Sequence, residues 1–155
     1  MVYWKDRTAG PINAIHPATG KTIEVNPGKD ARISMDLDAE LRRLPALVSW
    51  WMSLRDRAEM HYREARYAEH NAEEDLYEMF RMKPAEKGER KLTEVALKMA
   101  VKKHPTMRKA FRHRMDAQAM HQQLASAVKA IEEKRWSLMG LVKNAAFERG
   151  TKDSL

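Results

Sequence analysis

The chain has 155 residues, 33% of them charged and 43% hydrophobic, with a formal net charge of +7. That length suits one domain, and the composition is neither that of a disordered chain nor that of a membrane span. There is no Cys, which rules out disulfides, thiolate metal sites and Cys nucleophiles.

Residues 1–33 read as an N-terminal arm. Ile12–Ile15 and Lys21–Val25 alternate apolar and polar side chains around His16-Pro-Ala-Thr-Gly20, which predicts a small β-hairpin or an extended segment. An isolated hairpin is marginal in water, so the arm must dock on helices or reach a neighbouring subunit. Tyr3 and Trp4 are its candidate anchors, and Asn26-Pro-Gly28 closes it.

Residues 34–150 are rich in Ala, Met, Glu, Lys and Arg and read as a helical domain for oligomerisation and nucleic-acid binding. Ser34, Asp36 or Asp38 can cap a first short helix or turn up to Arg43. Pro45 is expected to open a long helix that runs to about Arg81. Its predicted seam is Leu47, Trp51, Leu54, Ala58, His61, Ala65, Ala68, Ala72, Asp75 and Met79, in steps of four and three. Trp50 lies off that seam and asks for a second partner. The uncharged, apolar run Leu44–Leu54 is too short to cross a bilayer.

Pro84 and Gly88 mark a turn over 82–91. A short helix follows from Leu92 or Thr93 to Lys103, with Leu92, Val95 and Met99 expected inward. His104-Pro105 ends it, and Pro105 can open the last helix at its first position. That helix is expected to run to Glu148 and to stop at Gly150, with residues 151–155 as a flexible tail. Its seam is Ala117, His121, Leu124, Val128, Ile131, Arg135, Leu138, Val142 and Ala145, widened by Trp136, Met139 and Leu141. The predicted fold is all-α: a long antiparallel helical hairpin with a short intervening helix and the N-terminal arm. The Trp-rich faces predict oligomerisation into a ring or bundle, with Trp50, Trp51, Leu54, Trp136 and Met139 at the interface.

The charge is local. Between Arg81 and Arg114 stand twelve Lys or Arg against three acids, a surplus of +9, which leaves about −2 for the rest. Its densest part is Lys98, Lys102, Lys103, Arg108, Lys109, Arg112 and Arg114, gathered at the His104-Pro105 corner. A directed positive field of this kind suits a phosphate backbone. No residues stand at base-reading spacing, so binding without sequence preference is expected. Phe111 could offer a stacking surface but is assigned to the core side. Glu73, Glu74 or Glu78 could neutralise Arg108 or Arg112 if the long helices are antiparallel.

No phosphate-binding glycine loop, nucleophile elbow or zinc-protease motif is present. The six His include no i, i+4 pair; His113 and His121 are two turns apart with Asp116 the one carboxylate between them, and read as core or basic-face residues. Glu69, Glu73, Glu74, Asp75 and Glu78 read as a solvated or ion-paired face. The chain is therefore expected to be no enzyme, and to need neither cofactor nor metal.

The order of elements resembles that of the UvsY-like phage recombination mediators. The shared pattern is the aromatic entry Leu47-Val-Ser-Trp-Trp51, a long helix ending in Tyr77 and Phe80, a turn and short charged helix, and a last helix closing with Phe147-Glu-Arg-Gly150. The resemblance spans about residues 40–150. It implies a ring-shaped, non-enzymatic homo-oligomer that binds single-stranded DNA, helps displace a single-strand-binding protein and loads a RecA-like recombinase. It departs from the family where Glu73, Glu74 and Asp75 replace a basic motif, so the contact is assigned to Lys98–Arg114. The expected location is the cytoplasm, that of the host if the chain is phage-encoded, with no membrane partner and no leading signal segment. The main rival is a virion or assembly adaptor whose basic corner meets an acidic protein. A duplex-binding helix-turn-helix regulator is the weaker rival, because these helices are too long for that motif.

Overall fold

The computed structural model describes residues 10–82 and 93–152, with side chains as far as Phe147. Two strands, β1 (Ile12–Ile15) and β2 (Thr22–Val25), precede the one-turn helix α1 (Pro27–Asp30). Helices α2 (Leu37–Met82), α3 (Glu94–Lys103) and α4 (Pro105–Lys152) follow. The protein is thus mainly helical, with α2 and α4 packed against each other and a two-stranded antiparallel hairpin at the front. Tyr3, Trp4, Leu92 and the predicted turn over 82–91, beyond its first residue Met82, lie outside the described residues.

The described residues form two compact units, one up to Ala58 and from Met120 onward, the other Glu59–Ala119. In the first, the hairpin register pairs Ile12 with Val25 and Ile15 with Thr22. Gly20 adopts a φ of 67°, left-handed backbone that favours glycine, and its N–H donates to the His16 carbonyl at 2.9 Å. His16 Nδ1 accepts from the Ala18 and Thr19 amides, both at 3.2 Å, and so fills the loop. Ile12 and Ala14 point into a core shared with Leu47, Trp51, Leu54 and Ala58 of α2 and Leu124, Ala127, Val128 and Ile131 of α4. The hairpin docks on the helices of its own chain.

That docking changes the account of the tryptophans. Trp51 and Leu54 are fully buried in the chain's own core. As folded they present no surface to a second copy, which corrects their assignment to an oligomer interface. Trp50 is half-covered, its ring 5.3 Å from that of His16. Trp136 and Met139 remain exposed, at 67% and 39%.

A buried polar clasp locks α1 onto both long helices. Lys134 Nζ donates to the Asp30 carbonyl at 2.9 Å and lies 2.5 Å from Glu40 Oε2. Trp51 Nε1 donates to Asp30 Oδ2 at 3.1 Å. The hydrogen bond from Lys134 holds the Glu40 carboxyl below its ordinary pKa, with the Lys134 charge and Ser34 adding to the effect against the opposing influence of burial. The predicted seam placed Arg135 inward; Arg135 is exposed and Lys134 is buried instead.

Helix α2 starts on Asp36, whose Oδ1 accepts from the Ala39 amide at 3.0 Å. It does not restart at Pro45, which sits inside it on an exposed position. Proline there leaves the Leu41 carbonyl without its helical donor, and the solvent-facing placement lets water take that role.

In the second unit Ala65, Leu76, Leu97, Val101 and Ala117 are buried. Leu44, Trp51, Ala58 and Ala65 are buried at strict sevens, as are Leu47 and Leu54, and only beyond Ala65 does the buried stripe of α2 leave the heptad, the next buried residue being Leu76, eleven on. Ala68, Asp75 and Met79, predicted on the seam beyond Ala65, are exposed. The inward face of α3 also differs: Leu97 and Val101 are buried, whereas Val95 and Met99 are 69% and 53% exposed. Helix α4 continues past Gly150 to Lys152, because a helix can absorb one glycine at a cost of about 1 kcal/mol.

Candidate nucleic-acid interface

The basic corner lies within the second unit. Thr93 caps α3, accepting from the Ala96 amide at 3.3 Å. At the other end His104 is the single residue between α3 and α4, in extended conformation with φ −63° and ψ 138°. Its N–H donates to Val101 O at 3.0 Å, and its carbonyl accepts from Arg108 N at 3.1 Å, so one residue closes one helix and opens the next. His104 Nδ1 accepts from the Thr106 amide at 3.3 Å, and the His104 ring meets the Phe80 ring edge-on at 6.0 Å. The residue before a proline is kept out of the helical region, which explains why the break falls here.

Lys102 and Lys103 occupy the last turn of α3, where the helix dipole favours cations. The first turn of α4 holds no acid. Lys98, Lys102, Lys103, Arg108, Lys109 and Arg112 are all exposed, and none is ion-paired to a described residue. On α4, Arg108, Lys109 and Arg112 span an arc of about 100° at the helical periodicity. Half-buried Met107 and Ala110 and buried Ala117 lie on the other side.

Arg114 departs from this set. It is ion-paired with Glu69, its side chain only 20% exposed, and it lies over the Phe111 ring at 5.0 Å. It joins α4 to α2. Phe111, assigned to the core from sequence, is instead 47% exposed beside Arg108 and Arg112. The charge neutralisation considered for Arg108 and Arg112 does not occur: Glu74 pairs with His70 on its own helix at 3.3 Å, and neither Glu73 nor Glu78 is paired with either arginine. Tyr77 donates to the Glu94 carboxylate, which raises its hydroxyl pKa above the ordinary 10.0 and ties the end of α2 to the start of α3.

His61 and His113 meet edge-on at 5.1 Å. Among the described residues no group of three or more His, Asp or Glu is placed to hold a metal ion. No described helix is long and apolar enough to cross a membrane. Sequence reasoning missed the exposure of Val95 and Met99 between the α3 lysines; the signal was the Leu97–Val101 pair, an equally good i, i+4 apolar face. Comparison with known proteins matched no family model, no curated protein and no solved structure.

Proposed function

We propose that this chain binds single-stranded nucleic acid, DNA in the first instance, without sequence preference, through the corner formed by α3 and α4. The observation that carries the reading is the set of six exposed cations grouped around His104, none ion-paired to another described residue, with a half-exposed phenylalanine beside two of them. Phosphates take the lysines and arginines, and an unpaired base can stack on Phe111. A role in loading a RecA-like recombinase, alongside a single-strand-binding protein, extends this proposal and is supported by the order of elements alone.

Fluorescence anisotropy of labelled single-stranded and duplex DNA of random sequence, across a salt series, tests the reading. Tight single-strand binding that is lost on replacing Lys102, Lys103, Arg108 and Arg112 by Ala, with the far-UV spectrum unchanged, is the expected result. Affinity unaltered by that variant would overturn the site.

A second reading has its own support. Val95 and Met99 add exposed apolar surface among Lys98, Lys102 and Lys103, which phosphate binding does not use. An acidic, amphipathic protein segment would use both. Absence of DNA binding at low salt would favour this adaptor reading.

A further inference from the structure

We infer that the exposed face of α4 between Lys129 and Phe147 is a self-complementary contact through which two copies of this chain pair antiparallel. The inference stands apart from the nucleic-acid proposal, because it concerns the other compact unit and needs no ligand.

Lys129, Glu133, Trp136, Gly140, Lys143 and Phe147 are all exposed. At about 100° per residue they fall within roughly 40° of one line along the helix. Buried Ala127, Ile131, Lys134 and Leu138 mark the opposite side. Trp136 and Phe147 are 67% and 74% exposed, large aromatic surfaces open to solvent.

Gly140 is the second oddity. A β-carbon built there meets no atom of the described residues within 4 Å, so their packing would accept a side chain. Glycine in a helix interior is costly relative to Ala, and no contact among the described residues requires it. It does leave a notch one turn from Trp136.

An isologous pair of antiparallel helices puts residue i of one copy opposite residue j of the other, with a constant sum of numbers. Setting Trp136 over the partner's Gly140 fixes that sum, and Gly140 then receives the partner's Trp136. The same register sets Glu133 against the partner's Lys143, and Lys129 against the partner's Phe147. Opposite charges meet, an aromatic ring meets a notch, and a cation meets a ring face, each twice. A parallel pairing in register would place each residue opposite itself, bringing Glu133 to Glu133 and Lys143 to Lys143.

Each Trp or Phe offers about 150–250 Å² of buriable surface. Two of each, with the polar groups facing them, reach roughly 1,000 Å², the low end of specific interfaces, so a dimer with a dissociation constant of about 1–100 µM is expected.

Sedimentation velocity across a concentration series reads this directly. The wild type should shift from monomer to dimer. Trp136→Ala and Gly140→Leu should each weaken dimerisation at least tenfold, and Gly140→Leu should do so without lowering the thermal midpoint. Glu133→Lys alone should also weaken it, and adding Lys143→Glu should restore it. The chain has no Cys, so the register can be trapped: Glu133→Cys with Lys143→Cys should form a disulfide-linked dimer under mild oxidation. Each single Cys variant should stay unlinked, since like positions would lie about 15 Å apart along the axis. A wild type that stays monomeric, dimerisation indifferent to Trp136 and Gly140, or cross-linking by the single variants would each overturn the pairing.

Discussion

Lys134 is the residue on which the hairpin's docking turns. Its ammonium is almost fully buried and satisfies both a carboxylate on α2 and the last carbonyl of α1. Lys134→Ala would leave Glu40 buried and unpaired, and should destabilise the fold by about 3–5 kcal/mol in chemical denaturation. The paired variant Glu40→Gln with Lys134→Met should recover most of that loss, because apolar and neutral groups of similar size need no counter-charge. The pH dependence follows from the direction of the Glu40 shift. Its carboxyl titrates below the ordinary 4.5 in the folded state, so between the two values the unfolded chain binds more protons. The stabilisation is therefore complete above about pH 4.5 and is lost as pH falls through the lowered folded value. Stability measured from pH 7 to pH 3 should fall less steeply in Glu40→Gln than in the wild type. The periodicity put Arg135 on the seam, yet Lys134, seven residues after buried Ala127, is the one that faces inward; the two flank the buried line Leu124, Ile131 and Leu138, and tertiary packing alone chooses between them.

At the scale of elements, sequence periodicity carried the hairpin, the three longer helices and the His104 break to within a few residues, except for the start of α2. Each of these has a local cause: alternation around a glycine turn, a capping Asp36 or Thr93, or a proline whose preceding residue cannot be helical. The inward face of α3 was not legible, since Val95/Met99 and Leu97/Val101 are equivalent apolar pairs and tertiary packing alone chooses between them. Pro45 was misread for a related reason. A proline usually marks a helix start, yet here α2 passes through it on a solvent-facing position. Pro45→Ala restores the missing amide and removes the ring's clash with the preceding turn. Part of the gain is offset by the freer unfolded chain. A net stabilisation of about 1–3 kcal/mol is expected from equilibrium unfolding, with the helical signal unchanged.

For the whole molecule, charge is the property that reaches furthest. The sequence placed the excess correctly in one stretch, but only the fold separates the cations that face outward from the one that holds two helices together. Arg114 stands in the same run as Arg108 and Arg112, yet Glu69 on α2 has claimed it. The two groups should therefore respond differently to one experiment. Each phosphate neutralised on a single strand contributes about −0.7 to the slope of log affinity against log salt. Six engaged cations give a slope near −4, and replacing Lys102, Lys103, Arg108 and Arg112 by Ala should bring it to about −1.4. Arg114→Ala should leave the slope within error of the wild type. It should instead lower the thermal midpoint, because it strips Glu69 of its partner and uncovers one face of Phe111. If Arg114→Ala reduced the slope by one phosphate and left stability intact, the ion pair to Glu69 would be the weaker of its two attachments. The interface would then extend along α4 beyond the corner.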